Sequence, residues 1–212
     1  MKNSSRSRSA RILKRVSELF DVSIHCIVRN HFMYTNRSQF FMTGIMIENT
    51  PYKDTIYCWS LIVPMYHPGP NIPLAFGQRI GQSNYIEGSV DVMADEIFTL
   101  VSSDPLLRQS LFKPVNPVDF VASQSILIDY PKNFPANSVF DVAVGAALAR
   151  NPKLAFELLQ HVRIREADRS SSIARDRADA LSEAIAQGKK SPSPEHLIGI
   201  WCGQPLFVST TS

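Results

Sequence analysis

The sequence predicts an α+β fold: an N-terminal helix, an antiparallel meander of about four strands, and a mostly helical C-terminal half packed on the sheet. Three observations predict it. Apolar residues recur at helical spacing over residues 9–20, apolar runs rich in aromatic and β-branched side chains follow at 40–47 and 55–66, and helical periodicity returns after residue 88. With 212 residues, 44% of them hydrophobic, the chain is long enough to bury a substantial core.

The first half of the chain contains the predicted first helix and the strands. Residues 9–20 form an amphipathic helix whose second face is mainly basic. Alternation of apolar and polar residues over 22–29 predicts a strand with one buried face, and a turn is expected at 35–38. The runs 40–47 and 55–66 are apolar on both faces, which is typical of central strands. A weaker strand is predicted at 73–80.

The second half is predicted to be helical. Ser89 is placed to cap the first of these helices, and Pro152 lies at the first position of another, where its missing N–H donor costs nothing. Apolar spacing predicts helices at 89–102, 139–149, 152–162, 163–190 and 196–201, with proline-broken turns and a short strand at 125–128 between the first two.

The basic charge of the chain is concentrated at its N-terminus. The first fifteen residues hold six of the 22 Lys and Arg residues and no acid, which leaves 16 bases against 19 acids. The whole chain therefore has a net charge of +3, whereas residues 16–212 alone have a net charge of −3. We expect a flexible basic arm over 1–9 and a single α+β domain over 10–212, with a sheet part at 10–88 and a helical part at 89–212.

The arm offers candidate docking residues: Lys2, Arg6, Arg8 and Arg11. Spaced arginines in a serine-rich segment can neutralise nucleic-acid phosphates, and they can equally dock on an acidic protein. The free arm, residues 1–9, carries only the charges of Lys2, Arg6 and Arg8. Three charges are few for tight nucleic-acid binding, so an acidic protein partner is favoured. A transit peptide and a plain solvated start of the first helix are the other interpretations of the same composition.

The cysteine spacing and the absence of catalytic motifs limit the kinds of chemistry that we expect of this chain. Cys26, Cys58 and Cys202 are odd in number and far apart, without a C-x-x-C pair, so we expect reduced thiols, no metal site and no cofactor. No apolar run approaches the ~18 residues of a membrane span, and no secretory signal is visible, which favours a cytoplasmic protein away from membranes. No nucleophile elbow, zinc-helix or phosphate-loop motif occurs, so an enzyme is not favoured.

The proline-rich link at 67–73 is the most distinctive local segment after the arm. Its prolines fix φ and stiffen the loop, so the link could present a fixed ledge to a protein partner. The predicted partner-binding residues are Tyr66, His67, Pro68, Pro70 and Arg79. An enzyme of unknown type with a site near the sheet end, gathered from His31, His67, Arg79 and Asp91, is an alternative.

One helix, a four-stranded meander and a proline-rich segment after the third strand resemble the layout of ubiquitin-conjugating and RWD-type domains. The resemblance covers about residues 9–80. The residues that carry it are Pro64, Tyr66, Pro68, Pro70 and Phe76. It implies that fold for the first half of the chain but not conjugation, because the next cysteine is Cys202, beyond every predicted helix.

These observations predict a non-enzymatic protein-interaction or accessory subunit of a larger complex, and we expect a bacterial, defence-type system as its setting. Charged residues make up 19% of the chain, below the usual quarter, which suggests that a partner covers part of the surface. A nucleic-acid-associated protein that uses its basic arm is the alternative from another class.

Overall fold

The computed structural model describes residues 7–20, 27–29, 31–52, 54–68, 74–81, 85–167, 172–187 and 193–203. The chain divides into two compact units. The sheet unit is Met1–Ile62 with Phe76–Pro114, and the helical unit is Val63–Ala75 with Val115–Ser212. The first two helices after residue 88 belong to the sheet unit.

The described strands are β1 (Ile27–Arg29), β2 (Phe32–Arg37), β3 (Phe41–Asn49), β4 (Thr55–Pro64), β5 (Gly77–Arg79) and β6 (Ile86–Glu87). The described helices are α1 (Arg8–Leu19), α2 (Val90–Ser103), α3 (Pro105–Phe112), α4 (Pro117–Ala122), α5 (Ser125–Asp129), α6 (Ala136–Leu148), α7 (Pro152–Arg165), α8 (Ile173–Gln187) and α9 (Pro194–Gly203). The predicted α+β class, with its N-terminal helix, meander and mostly helical second half, is confirmed.

The sheet runs in the order β1-β2-β3-β4-β5, with β6 also beside β4. The turn predicted at 35–38 is wrong, because β2 continues to Arg37 and its register against β3 shifts between Tyr34 and Asn36. Polar Thr35 fits inside the strand because its hydroxyl, like that of Thr43, donates to the Leu111 carbonyl (2.6 and 2.7 Å). The chain turns later, where the Ser38 N–H donates to the Phe41 carbonyl.

Helices α1, α2 and α3 belong to the same unit as the sheet and share its core. Side chains that point to the inner face of β2, β3 and β4 pack with the apolar faces of α1 and α2. Ser7 caps α1 by accepting from the Ala10 N–H, as Ser89 caps α2. The central members of this core are Ile12, Leu13, Val16, Met33, Ile45, Ile47, Ile56, Cys58, Met93, Ile97 and Val101. Burial raises the pKa of the Cys58 thiol, which therefore stays protonated.

Helix α6 is the centre of the helical unit. It is buried along most of its length and contacts α4, α5, α7, α8 and α9. Gly145 gives the Phe120 ring room, since a Cβ at this position would lie 2.8 Å from a ring carbon. The predicted pair of helices at 139–149 and 152–162 is present as α6 and α7, joined through Arg150 at φ 58° and capped by Asn151.

Two predictions for the second half are wrong. The strand expected at 125–128 is helix α5, in which the Tyr130 N–H donates to the Ile126 carbonyl (3.0 Å). A four-residue apolar run does not distinguish a strand from a helical turn, and here only Leu127 is buried. The single helix expected at 163–190 is interrupted, because α7 ends at Arg165 and α8 begins at Ile173. Among the described helices, none is both long and apolar enough to span a membrane.

Candidate functional site

Tyr66 and His67, two of the predicted site residues, lie just after β4. The chain turns there because the His67 N–H donates to the Pro64 carbonyl (3.1 Å). Tyr66 is fully buried, and its Oη donates to the Asp141 carbonyl at 3.2 Å. Arg177 Nη1 donates to the Tyr66 carbonyl at 2.8 Å. Contacts to α6 and α8 therefore hold this segment within the helical unit.

His67 and Asp141 form a close buried pair. His67 Nδ1 lies 2.5 Å from Asp141 Oδ2, and the two side chains are 6% and 0% exposed. With the carboxylate ionised, Nδ1–H donates and the ring is held in one orientation. The contact with Asp141 uses Nδ1, and the second ring nitrogen, Nε2, takes no part in it.

Arg177 supplies a second positive charge to this group. Its guanidinium lies 5.3 Å from the centre of the Trp201 ring, and Trp201 packs against Phe140, the residue before Asp141. Burial lowers the pKa of Arg177, while the charge of Asp141 raises it. We refer to Tyr66, His67, Asp141 and Arg177 as the buried cluster.

The carboxylate of the buried cluster is not fully compensated. Burial raises the pKa of Asp141 to about 6, although the hydrogen bond and charge of His67 and the charge of Arg177 act to lower it. Asp141 Oδ1 is buried and has no hydrogen-bond partner among the described residues. Burial, together with the charge of Asp141, raises the pKa of Tyr66 well above its ordinary value. Asp141 can hold a proton near neutral pH, but Tyr66, His67 and Asp141 are almost closed to solvent, and Arg177 is half-buried.

The burial of Tyr66 and His67 bears on the role expected for the proline ledge. Tyr66 is 0% exposed and the His67 side chain is 6% exposed, so the structure gives these two residues almost no accessible side-chain surface, and their partner-binding role stays a prediction. Both fix the chain to α6 and α8. Pro68 is half-buried, and Pro70 lies outside the described residues.

Arg79, the fifth predicted partner-binding residue, is exposed and belongs to the sheet unit. It lies opposite Trp59 on β4, and its guanidinium carbon is 5.0 Å from the centre of the Trp59 ring and 4.2 Å from that of Tyr57. Trp59 Nε1 in turn donates to Glu48 Oε2 at 3.1 Å. We refer to Tyr57, Trp59 and Arg79 as the aromatic platform.

The alternating pattern of β4 places the aromatic platform on the sheet face away from the core. Ile56 and Cys58 point inward and are buried, whereas Tyr57 and Trp59 point outward and remain half-exposed. An arginine over two rings is attracted to their π-systems and keeps its planar donors fixed for a carboxylate or phosphate. The aromatic platform is thus an exposed, pre-ordered cationic surface.

The arm residues are divided by the structure. Arg8, expected in the flexible arm, lies in α1, where it donates to the Gly88 carbonyl (3.0 Å) and approaches Asp54 Oδ1 at 3.7 Å. Its side chain is engaged in the sheet unit, so its assignment to a free arm is corrected. Arg11 is exposed on α1, and Lys2 and Arg6 lie outside the described residues.

The residues of the alternative enzyme site do not all belong to one unit. They are His31, His67, Arg79 and Asp91. His31 is exposed in the turn before β2, and exposed Asp91 lies 3.7 Å from Arg15 on α1. Both belong to the sheet unit with Arg79, whereas His67 belongs to the helical unit. In the described part of the chain, no three His, Cys, Asp or Glu side chains are grouped so that they could hold a metal ion.

Sequence reasoning missed four residues of these two sites. Asp141 had a signal, because it is the single acid in an otherwise apolar helix segment. Tyr57 and Trp59 also had one, since they occupy alternate positions of a predicted strand. Arg177 had none, because it is one of several arginines in a charged stretch.

Comparison with protein-family models, curated proteins and solved structures finds no match to this chain.

Proposed function

We propose that this chain is a non-enzymatic protein-interaction subunit that docks on its partner through the aromatic platform. The observation that carries the proposal is the exposed Arg79 guanidinium held over Tyr57 and Trp59. Trp, Tyr and Arg are the side chains most enriched among residues that dominate binding energy in interfaces. Here all three lie side by side on one sheet face.

The order of the aromatic platform supports this role. Binding a flexible side chain costs about 0.5–1.5 kcal/mol of conformational entropy, and an arginine already stacked on rings has lost part of that freedom before the partner arrives. The Glu48 contact fixes Trp59 in the same way. A partner therefore meets a surface that is largely ordered in advance.

The buried cluster supports the non-enzymatic part of the proposal. A carboxylate on a histidine Nδ1 is the pairing that orients a catalytic base. The His67 side chain, however, is 6% exposed and that of Asp141 is 0% exposed, so a substrate has almost no access to either group. The pair acts as a tether of the segment after β4.

The test is site-specific photo-crosslinking of the full-length chain in cells of the organism that encodes it. A photoreactive residue replaces Glu87, which is exposed and, opposite Thr55, lies on the same sheet face as the aromatic platform. The matched control replaces Glu96, which is exposed on α2. We expect a discrete protein adduct at position 87, absent at 96, and lost when Arg79→Ala is added. No adduct at 87, the same adduct at 96, or an adduct indifferent to Arg79→Ala would overturn the proposal.

A further inference from the structure

Among the described residues, the strand that carries Arg79 is paired on one side only. β5 pairs with β4 through Trp59–Arg79, Ser60–Gln78 and Leu61–Gly77, and the Ile80 N–H donates to the Cys58 carbonyl (2.8 Å). Hydrogen-bonded and non-hydrogen-bonded pairs alternate in an antiparallel ladder. Ile80 and Gln78 therefore direct their backbone groups to β4, while Gly77 and Arg79 direct theirs to the other side.

Within the part of the chain that the structure describes, neither Gly77 nor Arg79 makes a backbone hydrogen bond on the side away from β4. Gln78 and Arg79 are exposed, and so are Leu74 and Ala75 just before the strand. This row of donors and acceptors is the template that strand addition uses.

Among the described residues, Arg79 also forms no salt bridge. No Asp or Glu of the described residues lies within 4.0 Å of its guanidinium, although other exposed arginines, such as Arg15 and Arg163, have such partners. Its planar donors lie on the outer sheet face beside this edge of β5. A carboxylate brought there by a partner would complete an ion pair.

Resting on the proposed interaction role, we propose that the partner supplies an extended acidic peptide segment that adds to the sheet at β5. In an antiparallel arrangement, the partner residue opposite Arg79 exchanges both backbone hydrogen bonds with it and places its side chain on the same face, about 5 Å away. A Glu or Asp at that position reaches the guanidinium.

The register places the partner residue two positions later opposite Gly77. The Leu61 side chain already fills the space over Gly77, since a Cβ at 77 would lie 2.2 Å from Leu61 Cδ2, and Leu61 is 1% exposed. The register therefore specifies the acid opposite Arg79, and it gives the residue opposite Gly77 no contact with Leu61.

A nucleic acid fits this surface less well. Its backbone lacks the alternating N–H and C=O groups that the edge requires. Two carboxylates lie on the same face: Glu48, which accepts from Trp59, and Glu87, which is opposite Thr55. Their charge repels a run of phosphates but still allows one carboxylate at Arg79.

The experiment selects binders from a displayed random-peptide library on the full-length chain. We expect enrichment of an Asp or Glu at one fixed position of the peptide, and at least about a tenfold loss of affinity of a selected peptide on Arg79→Glu. Arg108→Glu, on the exposed surface of α3, is the matched control and should leave affinity unchanged. N-methylation of the peptide residue opposite Arg79 should abolish binding, and hydrogen exchange of the Gly77 and Arg79 amides should slow in the complex.

Four results would overturn strand addition: no binders, binders without an acid, unchanged exchange at Gly77 and Arg79, or displacement of the peptide by a single-stranded oligonucleotide at comparable concentration. The crosslinking experiment separates this failure from that of the proposed function. An Arg79-dependent adduct at position 87 without amide protection retains the interaction role and rejects strand addition. Absence of both the adduct and the amide protection rejects strand addition and the proposed function together.

Discussion

The uncompensated carboxylate of Asp141 leads to a prediction about stability and pH. Its pKa of about 6 in the folded chain compares with 3.8 for an ordinary aspartate. A folded-state pKa above the unfolded one means that the folded chain binds the proton more tightly. The stabilisation by this proton is complete below the unfolded pKa and is lost as pH rises through about 6.

The magnitude follows from the difference between the two pKa values. About two units at 1.36 kcal/mol each give about 3 kcal/mol, lost between about pH 4 and pH 7. Asp141→Asn removes this charge, so the stability of the variant relative to the parent should rise by about 3 kcal/mol over that interval. The absolute stability of the variant also reflects the altered contact with His67, and the test therefore rests on the change with pH.

The assay is denaturant unfolding at several pH values with a signal from the helical unit. The chain has two tryptophans, Trp59 in the sheet unit and Trp201 in the helical unit, so Trp59→Phe leaves Trp201 as the reporter. Asp129→Asn, which removes an exposed carboxylate of the same unit, controls for general effects of pH. A difference for Asp141→Asn that stays flat, or that falls as pH rises, would refute the reasoning and show that His67 and Arg177 outweigh the burial of the carboxylate.

Two further pairs of variants test the packing. Gly145→Ala should destabilise the chain by about 1–3 kcal/mol, because the new Cβ meets the Phe120 ring of α4. Gly199→Ala, with open space around it in α9, should raise the stability by up to about 1 kcal/mol. Thermal unfolding of both variants checks this, and equal effects would contradict it. Thr35→Val and Thr43→Val should each cost little alone, because either hydroxyl satisfies the Leu111 carbonyl, and together more than the sum of the single effects in a double-mutant cycle. Additive costs would show that the two hydroxyls act independently.

The parts of the fold that the sequence predicts are those in which local pattern and tertiary environment agree. The apolar stripe of α1 matches the face that is buried, and the apolar run of β4 belongs to a strand with neighbours on both sides, so both elements follow from the sequence pattern. Segment 125–128 fails because its apolar residues are not buried together. Its conformation is set by local hydrogen bonds, which periodicity does not report.

The candidate sites depend on contacts between distant residues, so only part of them could be predicted. Arg79 could be chosen as an interaction residue, but its rings could not, because the pairing of β4 with β5 brings Trp59 beside it. His67 and Asp141 are 74 positions apart, and no local rule joins them. The burial of Tyr66 and His67 depends on Asp141 and Arg177, which are far away in the sequence.

The path of the chain through the two units has a consequence for synthesis and dissection. The chain passes from the sheet unit to the helical unit at Val63, near the end of β4, and returns to the sheet unit at Phe76. The sheet unit is complete in sequence once Pro114 has emerged from the ribosome, but Tyr66 and His67 must then wait for Asp141 and Arg177 to be made. A fragment that stops at Pro114 would carry an unsatisfied aromatic segment into solvent, so shortened versions of this chain should bind chaperones and aggregate more readily than the whole.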